Sequence, residues 1–271
     1  VDPQFGRAYS SWAGSSFYIG DRQKSDELYK KAFGLTERMS ERERLRTFGT
    51  YYLTVGQAYQ EAITNYTKLV EAYPADRVGF GNLAVAYSYT LNFPKALEAG
   101  RRALALYPAS LKYRSNVAWY ALYSSDFAAA AAEAKRVIET DASYFQAYAP
   151  LALSAIVTAS EPAGPIYERM ASTDSRGSSR AAIGLADLAM YEGRYAEAIS
   201  SLPAAIAEDT TAGDGAGAAA KYIALGEAQL AQGARDRAVA AAEQALRAST
   251  GETVRLSAAR LLVGAPRDGV E

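Results

Sequence analysis

The chain has 271 residues, 49% of them hydrophobic and 22% charged, with a net charge of −1. That is ordinary globular composition, and the balanced charge argues against a nucleic-acid or membrane-surface partner held by bulk electrostatics. With no Cys and no His there are no disulfides, no thiolate or imidazole metal ligands and no Ser/His or Cys/His nucleophile pairs, and no apolar run approaches the ~18 residues of a membrane-crossing helix.

Read in order, the chain predicts helices in pairs. The first pair, near 6–39, begins with Tyr9, Trp12 and Ala13, turns at Gly20-Asp21 and faces Leu28, Tyr29 and Ala32 inward. A charged linker over 36–43 precedes the second pair, near 42–76. That pair carries Leu45, Phe48, Gly49 and Tyr52, then Tyr59, Ala62, Ile63, Tyr66 and Leu69. In the third pair, 77–110, Phe80, Leu83, Ala84 and Tyr87 lie three or four apart and share one helix face. Asn92 is placed to cap the second helix, where Pro94 costs nothing because first-turn N–H groups have no intrahelical partner. Ala84 and Ala96 are small where two backbones must approach. The fourth pair, 111–144, has Val117 and Ala118, a turn at Asp126-Phe127 and a nearly all-alanine run over 128–134.

The fifth pair, 145–178, begins with Tyr148, Leu151 and Ala152. Its second helix meets Pro162, Gly164 and Pro165, so it should be short and start late, and a polar run over 172–179 follows. The sixth pair, 179–218, has Leu185 and Ala186, a turn at Gly193-Arg194-Tyr195, then Ala198 and Ile199. A Gly/Ala loop over 210–217 precedes the seventh, 219–250, with Tyr222, Leu225, Gly226, Ala228, Ala238 and Ala245. An amphipathic helix over 253–263 should cover the last pair, because an open helical stack exposes apolar surface at its end.

Pro74 and Pro108 are 34 residues apart, and between them Phe80, Leu83, Ala84, Tyr87, Ala96 and Ala103 stand as in the tetratricopeptide repeat (TPR). Ala96, Ala130 and Ala198 mark one position in three repeats. The chain resembles the TPR family over nearly its whole length. That resemblance implies an all-α, right-handed solenoid of seven helix-turn-helix repeats plus a C-terminal capping helix, as one domain over 1–271. A narrower resemblance joins the runs SERERLRTFGTYYL, YQEAITNYTKLVEAYPAD, NLAVAYSYT, ALALYP and Tyr191-Glu192-Gly193-Arg194-Tyr195 to the TPR-rich C-terminal regions of bacterial serine/threonine protein kinases. It implies an accessory or sensory region, with a kinase domain and often a membrane segment elsewhere in the protein. Val1 in place of Met, and Asp2-Pro3 resembling the close of an earlier repeat, read as a piece of a longer chain.

Chemistry has little to work with. There is no phosphate-binding glycine loop, no H-R-D or D-F-G, no G-x-S-x-G and no H-E-x-x-H, so no enzyme activity, metal or cofactor is expected. Carboxylates such as Glu133, with Arg136 and Glu139, read as a solvated face. Binding is the better expectation, on the side of the first helices opposite their packed face. The candidate residues are Arg46, Asn82, Tyr89, Lys112, Asn116, Trp119, Tyr123, Asp187 and Tyr191. Repeat register should set Asn82 beside Asn116 and Tyr89 beside Tyr123, although aromatics at helical spacing also pack between neighbouring helices. Some chaperone-binding TPR proteins clamp a peptide's carboxylates with Lys, Asn, Asn, Lys and Arg. The matching places here hold Arg46, Thr50, Asn82, Lys112 and Asn116, of which two depart from the pattern. The expected partner is a protein or peptide segment, not nucleic acid and not inserted membrane. Alternatives are a small-ligand sensor using the groove and self-association through the ends.

Overall fold

The computed structural model describes residues 3–264, and Val1, Asp2 and 265–271 lie outside it. Among the described residues there are fifteen α-helices, two single 3-10 turns and no strand. The helices pair as α1 Gly6–Tyr18 with α2 Arg22–Phe33, α3 Glu41–Leu53 with α4 Tyr59–Ala72, and α5 Arg77–Tyr89 with α6 Phe93–Leu106. They continue as α7 Leu111–Tyr123 with α8 Phe127–Thr140, α9 Tyr148–Thr158 with α10 Ala163–Ala171, α11 Ser175–Tyr191 with α12 Tyr195–Thr211, and α13 Gly215–Ala231 with α14 Arg235–Ala248. The last is α15 Glu252–Gly264. The chain divides into two compact units, Val1–Val137 and Ile138–Glu271, the division falling in the last turn of α8.

Side chains that start helices recur. Asp21, Asp76, Ser110, Asp174 and Asp214 each accept the backbone N–H of the residue three further on, and Asn92 does the same for Lys95. Each such cap satisfies an otherwise orphaned donor and contributes ~1 kcal/mol. Ser40 and Glu43 close a reciprocal capping box at α3.

Within Val1–Val137 the core joins Leu53, Ala62, Ile63, Tyr66, Leu69, Leu83, Ala84, Ala96 and Leu97 to Val117, Tyr120 and Ala130. Within Ile138–Glu271, Ala186, Ala198, Leu202, Ile206, Ala224 and Ala228 form one cluster. Ala219, Ile223, Ala242 and Ala245 form another with Ala258 and Leu261 of α15, so that helix does cover the seventh pair. Tyrosines fill notches left by glycines: a Cβ on Gly49 would meet the Tyr66 ring at 2.8 Å, on Gly81 the Tyr113 ring at 2.8 Å, and on Gly184 the Tyr167 ring at 2.3 Å. In these repeats the close approach comes from glycine opposite a ring, a pairing that helical periodicity does not reveal.

Three segments differ from the sequence expectation. The 36–43 linker is not simply charged: it holds a 3-10 turn, the buried Met39 and the capping box. The expected Gly/Ala loop at 210–217 shrinks to residues 212–214, because α11, α12 and α13 each extend to 17 residues and absorb the extra length. The polar run at 172–179 is mostly the first turn of α11, started by Asp174. The fifth pair's second helix, α10, is indeed short, with 9 residues and Pro162 at its start.

Candidate functional site

Seven of the candidate residues lie in Val1–Val137: Arg46 on α3, Asn82 and Tyr89 on α5, and Lys112, Asn116, Trp119 and Tyr123 on α7. Asp187 and Tyr191 lie on α11 in the other unit. Each surface is described by itself.

In the first unit the polar candidates divide into engaged and open groups. Asn82 Nδ2 donates to Tyr66 Oη at 2.9 Å, and Tyr66 Oη lies 2.9 Å from Thr50 Oγ1. Thr50 donates in turn to the Arg46 carbonyl at 2.7 Å, so the chain of donors runs from Asn82 through Tyr66 and Thr50 to the α3 backbone. Burial pushes the Tyr66 phenol up, against the lowering effect of its bonds to Thr50 and Asn82. The Asn82 amide is therefore fixed from below, and its oxygen has no partner among the described residues. Asn82 reaches down to Tyr66, a buried ring of the second helix α4, a partner that repeat register does not give. Asn116 is half-buried and makes no hydrogen bond among the described residues, and Lys112 is exposed.

Arg46 is committed. Its guanidinium binds Asp76 Oδ2 at 2.6 Å, Arg42 Nε reaches the same oxygen at 2.9 Å, and Asp76 Oδ1 accepts the Gly79 N–H at 2.9 Å. The Asp76 carboxyl stays below the ordinary carboxylate range. Burial alone would raise it, and the bonds from Arg46, Gly79 and Arg42 outweigh burial.

Tyr89 and Tyr123 are exposed, and each stacks on a ring of a second helix. Tyr89 stacks on Tyr59 of α4 at 4.8 Å between ring centroids, and Tyr123 stacks on Phe93 of α6 at 4.7 Å. These two rungs repeat each other exactly one repeat apart along the chain, each joining the end of a first helix to the start of the preceding repeat's second helix. Trp119 stacks on Tyr123 at 5.7 Å and also packs partly into the core. Tyr89 and Tyr123 keep 56% and 57% of their surface in solvent.

The second unit carries a different pattern. Asp187 is exposed, yet desolvation and the Glu227 carboxylate on α13 push its carboxyl up to about 6. Glu227 pairs with Arg260 of α15, and Tyr191 stands free in solvent at 75% exposure. A buried cluster in the same unit was not legible in the sequence. Lys221, with no exposed side-chain surface, pairs with Asp209 and donates to Ser179 Oγ at 2.7 Å. The three come from α13, α12 and α11, 12 to 42 residues apart in sequence. No spacing rule links them. Glu133, read above as a solvated residue, is partly buried and bound by Arg114 at 2.5 Å and Arg136 at 2.9 Å. A shallow depression on α12 is lined by Ala207, Glu208, Thr211 and Ala212, none of them a candidate.

A tetratricopeptide repeat protein from Parabacteroides merdae superposes with a TM-score of 0.68 at 18% identity, over 94% of this chain and 98% of that one. The fold is that of TPR proteins. PilW, a type IV pilus biogenesis factor, gives a TM-score of 0.58 at 18% identity over 80% of this chain and 98% of its own. The pilF protein of Pseudomonas aeruginosa gives 0.54 at 18% over 80% and 95%. No protein-family model and no curated protein matches the sequence. The helix pairs above are thus those of a TPR fold. Among the described residues no helix is long and apolar enough to cross a membrane, and no group of three or more acidic side chains is gathered as a metal site.

Proposed function

We propose that this chain is a non-catalytic TPR scaffold whose first-helix face in Val1–Val137 holds an extended protein segment. The observation that carries this reading is the pair of exposed aromatic rungs, Tyr59/Tyr89 and Phe93/Tyr123. Large rings are left in solvent yet stacked on a neighbour, so they are ordered before a partner arrives and lose little freedom on binding. Such rings supply most of the energy at interfaces where they are buried. Beside them, Asn116 and the Asn82 oxygen offer the donors and acceptors that an extended backbone needs. The runs at 40–53 and 59–76, which resemble the TPR-rich C-terminal regions of bacterial serine/threonine protein kinases, support a place as the accessory region of such a kinase, and a kinase domain encoded in the same reading frame would establish that context.

The test is binding of the full chain to an array of short synthetic peptides, followed by titration of the best binder. Tyr123→Ala and Asn116→Ala should each weaken binding by ~1–3 kcal/mol, and Asn116→Ala should leave the melting temperature unchanged. Lys68→Ala, exposed on the second helix α4, should change nothing. A loss with Lys68→Ala and none with Tyr123→Ala would move the site off this face.

A further inference from the structure

Within Val1–Val137 the two ends of the first helices carry different chemistry. Arg7, Arg42, Arg46, Arg77 and Lys112 stand in the opening turns of α1, α3, α5 and α7, whereas Tyr18, Tyr89 and Tyr123 close α1, α5 and α7. Most of those cations have an occupation. Arg42 and Arg46 share Asp76, whose oxygens are filled by them and by the Gly79 N–H. The Arg77 guanidinium lies 4.8 Å over the Tyr107 ring.

Arg7 differs. Its Nη1 donates to Ser10 Oγ at 2.7 Å, and the buried Thr47 hydroxyl donates to the same oxygen at 3.0 Å. Among the described residues no carboxylate lies within ion-pair distance of it. Desolvation and the neighbouring Arg46 charge lower the Arg7 guanidinium from its ordinary value, with Tyr66, Tyr29 and Glu43 acting the other way. Glu43 is held at the Ser40 cap, accepting both its N–H and its hydroxyl at 2.9 Å. Three guanidinia therefore face two carboxylates that are both already engaged. A half-buried guanidinium with one neutral partner retains most of its planar donor fork for an incoming carboxylate.

Arg7 and Tyr18 lie eleven residues apart, close to three helical turns, so they share a face of α1 roughly 16 Å apart. Tyr18 is 68% exposed and, like Tyr89, closes a first helix. We propose that Arg7 receives an acidic side chain of the bound segment, and that an aromatic or aliphatic side chain about five residues away in that extended segment lands on Tyr18. This rests on the peptide-binding reading above and gives it a substrate class: an acidic segment with one large apolar residue, recognised internally and not through its terminus.

The experiment uses the full chain on an array of C-terminally amidated peptides, in which the positions of Glu and Phe are varied independently in a Gly/Ser background. The expected result is enrichment of peptides with Glu and Phe about five residues apart, with Glu→Gln peptides about tenfold weaker or worse. Arg7→Gln, which keeps a donor for Ser10, should abolish the preference for Glu over Gln while keeping the preference for Phe. Arg7→Lys should restore part of it. Circular dichroism melts of both variants confirm that they fold. Peptides bound without preference for Glu, or a Glu preference that survives in Arg7→Gln, overturn this inference and leave peptide binding standing. Acid preference that appears only with a free C-terminus overturns the internal mode. No binding to any peptide sinks the peptide-binding reading itself.

Discussion

Asp76 starts helix α5 and neutralises Arg42 and Arg46 at once. Asp76→Asn removes the charge while keeping the shape, and should cost ~1–3 kcal/mol at neutral pH, the scale of a charge-assisted bond lost where one partner stays partly solvated. Because its folded pKa is depressed, its stabilisation is present above the unfolded carboxylate value and is lost as pH falls through the folded one. Thermal melts should show the wild type losing its advantage over Asp76→Asn below about pH 4. Asp187 has the opposite sign. Its pKa is raised to about 6, so the fold bears a penalty above that value, which is relieved as pH falls toward the unfolded carboxylate value. The side chain is exposed, so the effect is small. Asp187→Asn should raise the melting temperature by at most ~2 °C near neutral pH and leave it unchanged near pH 4; an equal gain at both would break the link to ionisation.

At the scale of helices, the contact between α10 and α11 depends on Gly184. A methyl there would sit 2.3 Å from the buried Tyr167 ring, on the helix that follows Pro162 and has only 9 residues. Gly184→Ala gains helix propensity, worth ~1 kcal/mol in its favour, but overpacks a ring that lies between two helix backbones, which costs ~1–3 kcal/mol or more. The net expectation is destabilisation in a denaturant melt, with faster amide exchange over 166–170. Gly164→Ala is the control: its methyl would find only the Leu188 side chain, at 4.0 Å. A Gly184→Ala protein at least as stable as wild type would show that Tyr167 has room to move.

At the scale of the whole molecule, each repeat in a TPR stack touches mainly its neighbours, so damage should stay local. Lys221 provides the test. Removing its charge strands Asp209 in the interior, which costs ~3–5 kcal/mol, whereas replacing both members by apolar residues is often neutral or better. Lys221→Met should therefore unprotect the amides of α11 to α13 while those of α3 to α6 keep wild-type exchange, and Lys221→Met with Asp209→Leu should recover most of the loss. Global unfolding by the single change would mean that the two units melt as one.

The sequence by itself determined the repeating hairpin. Apolar residues at helical spacing, the cap at Asn92 and small residues such as Ala96 are local instructions, each read within one or two turns of helix, and the 34-residue interval between prolines sets their repetition. It also placed Tyr89, Asn116 and Tyr123 on the first helices, because a residue's face follows from its position in the period. What it left open is which atom each side chain meets. Asn82 reaches Tyr66 across 16 residues, Arg46 reaches Asp76 across 30, Thr47 reaches Ser10 across 37, and Lys221 reaches Ser179 across 42. Such pairs depend on how helices cross and how far apart they sit, and helical period carries no information about either. Only the packed helices therefore determine that Asp76 is satisfied and Arg7 is left short of a counter-charge.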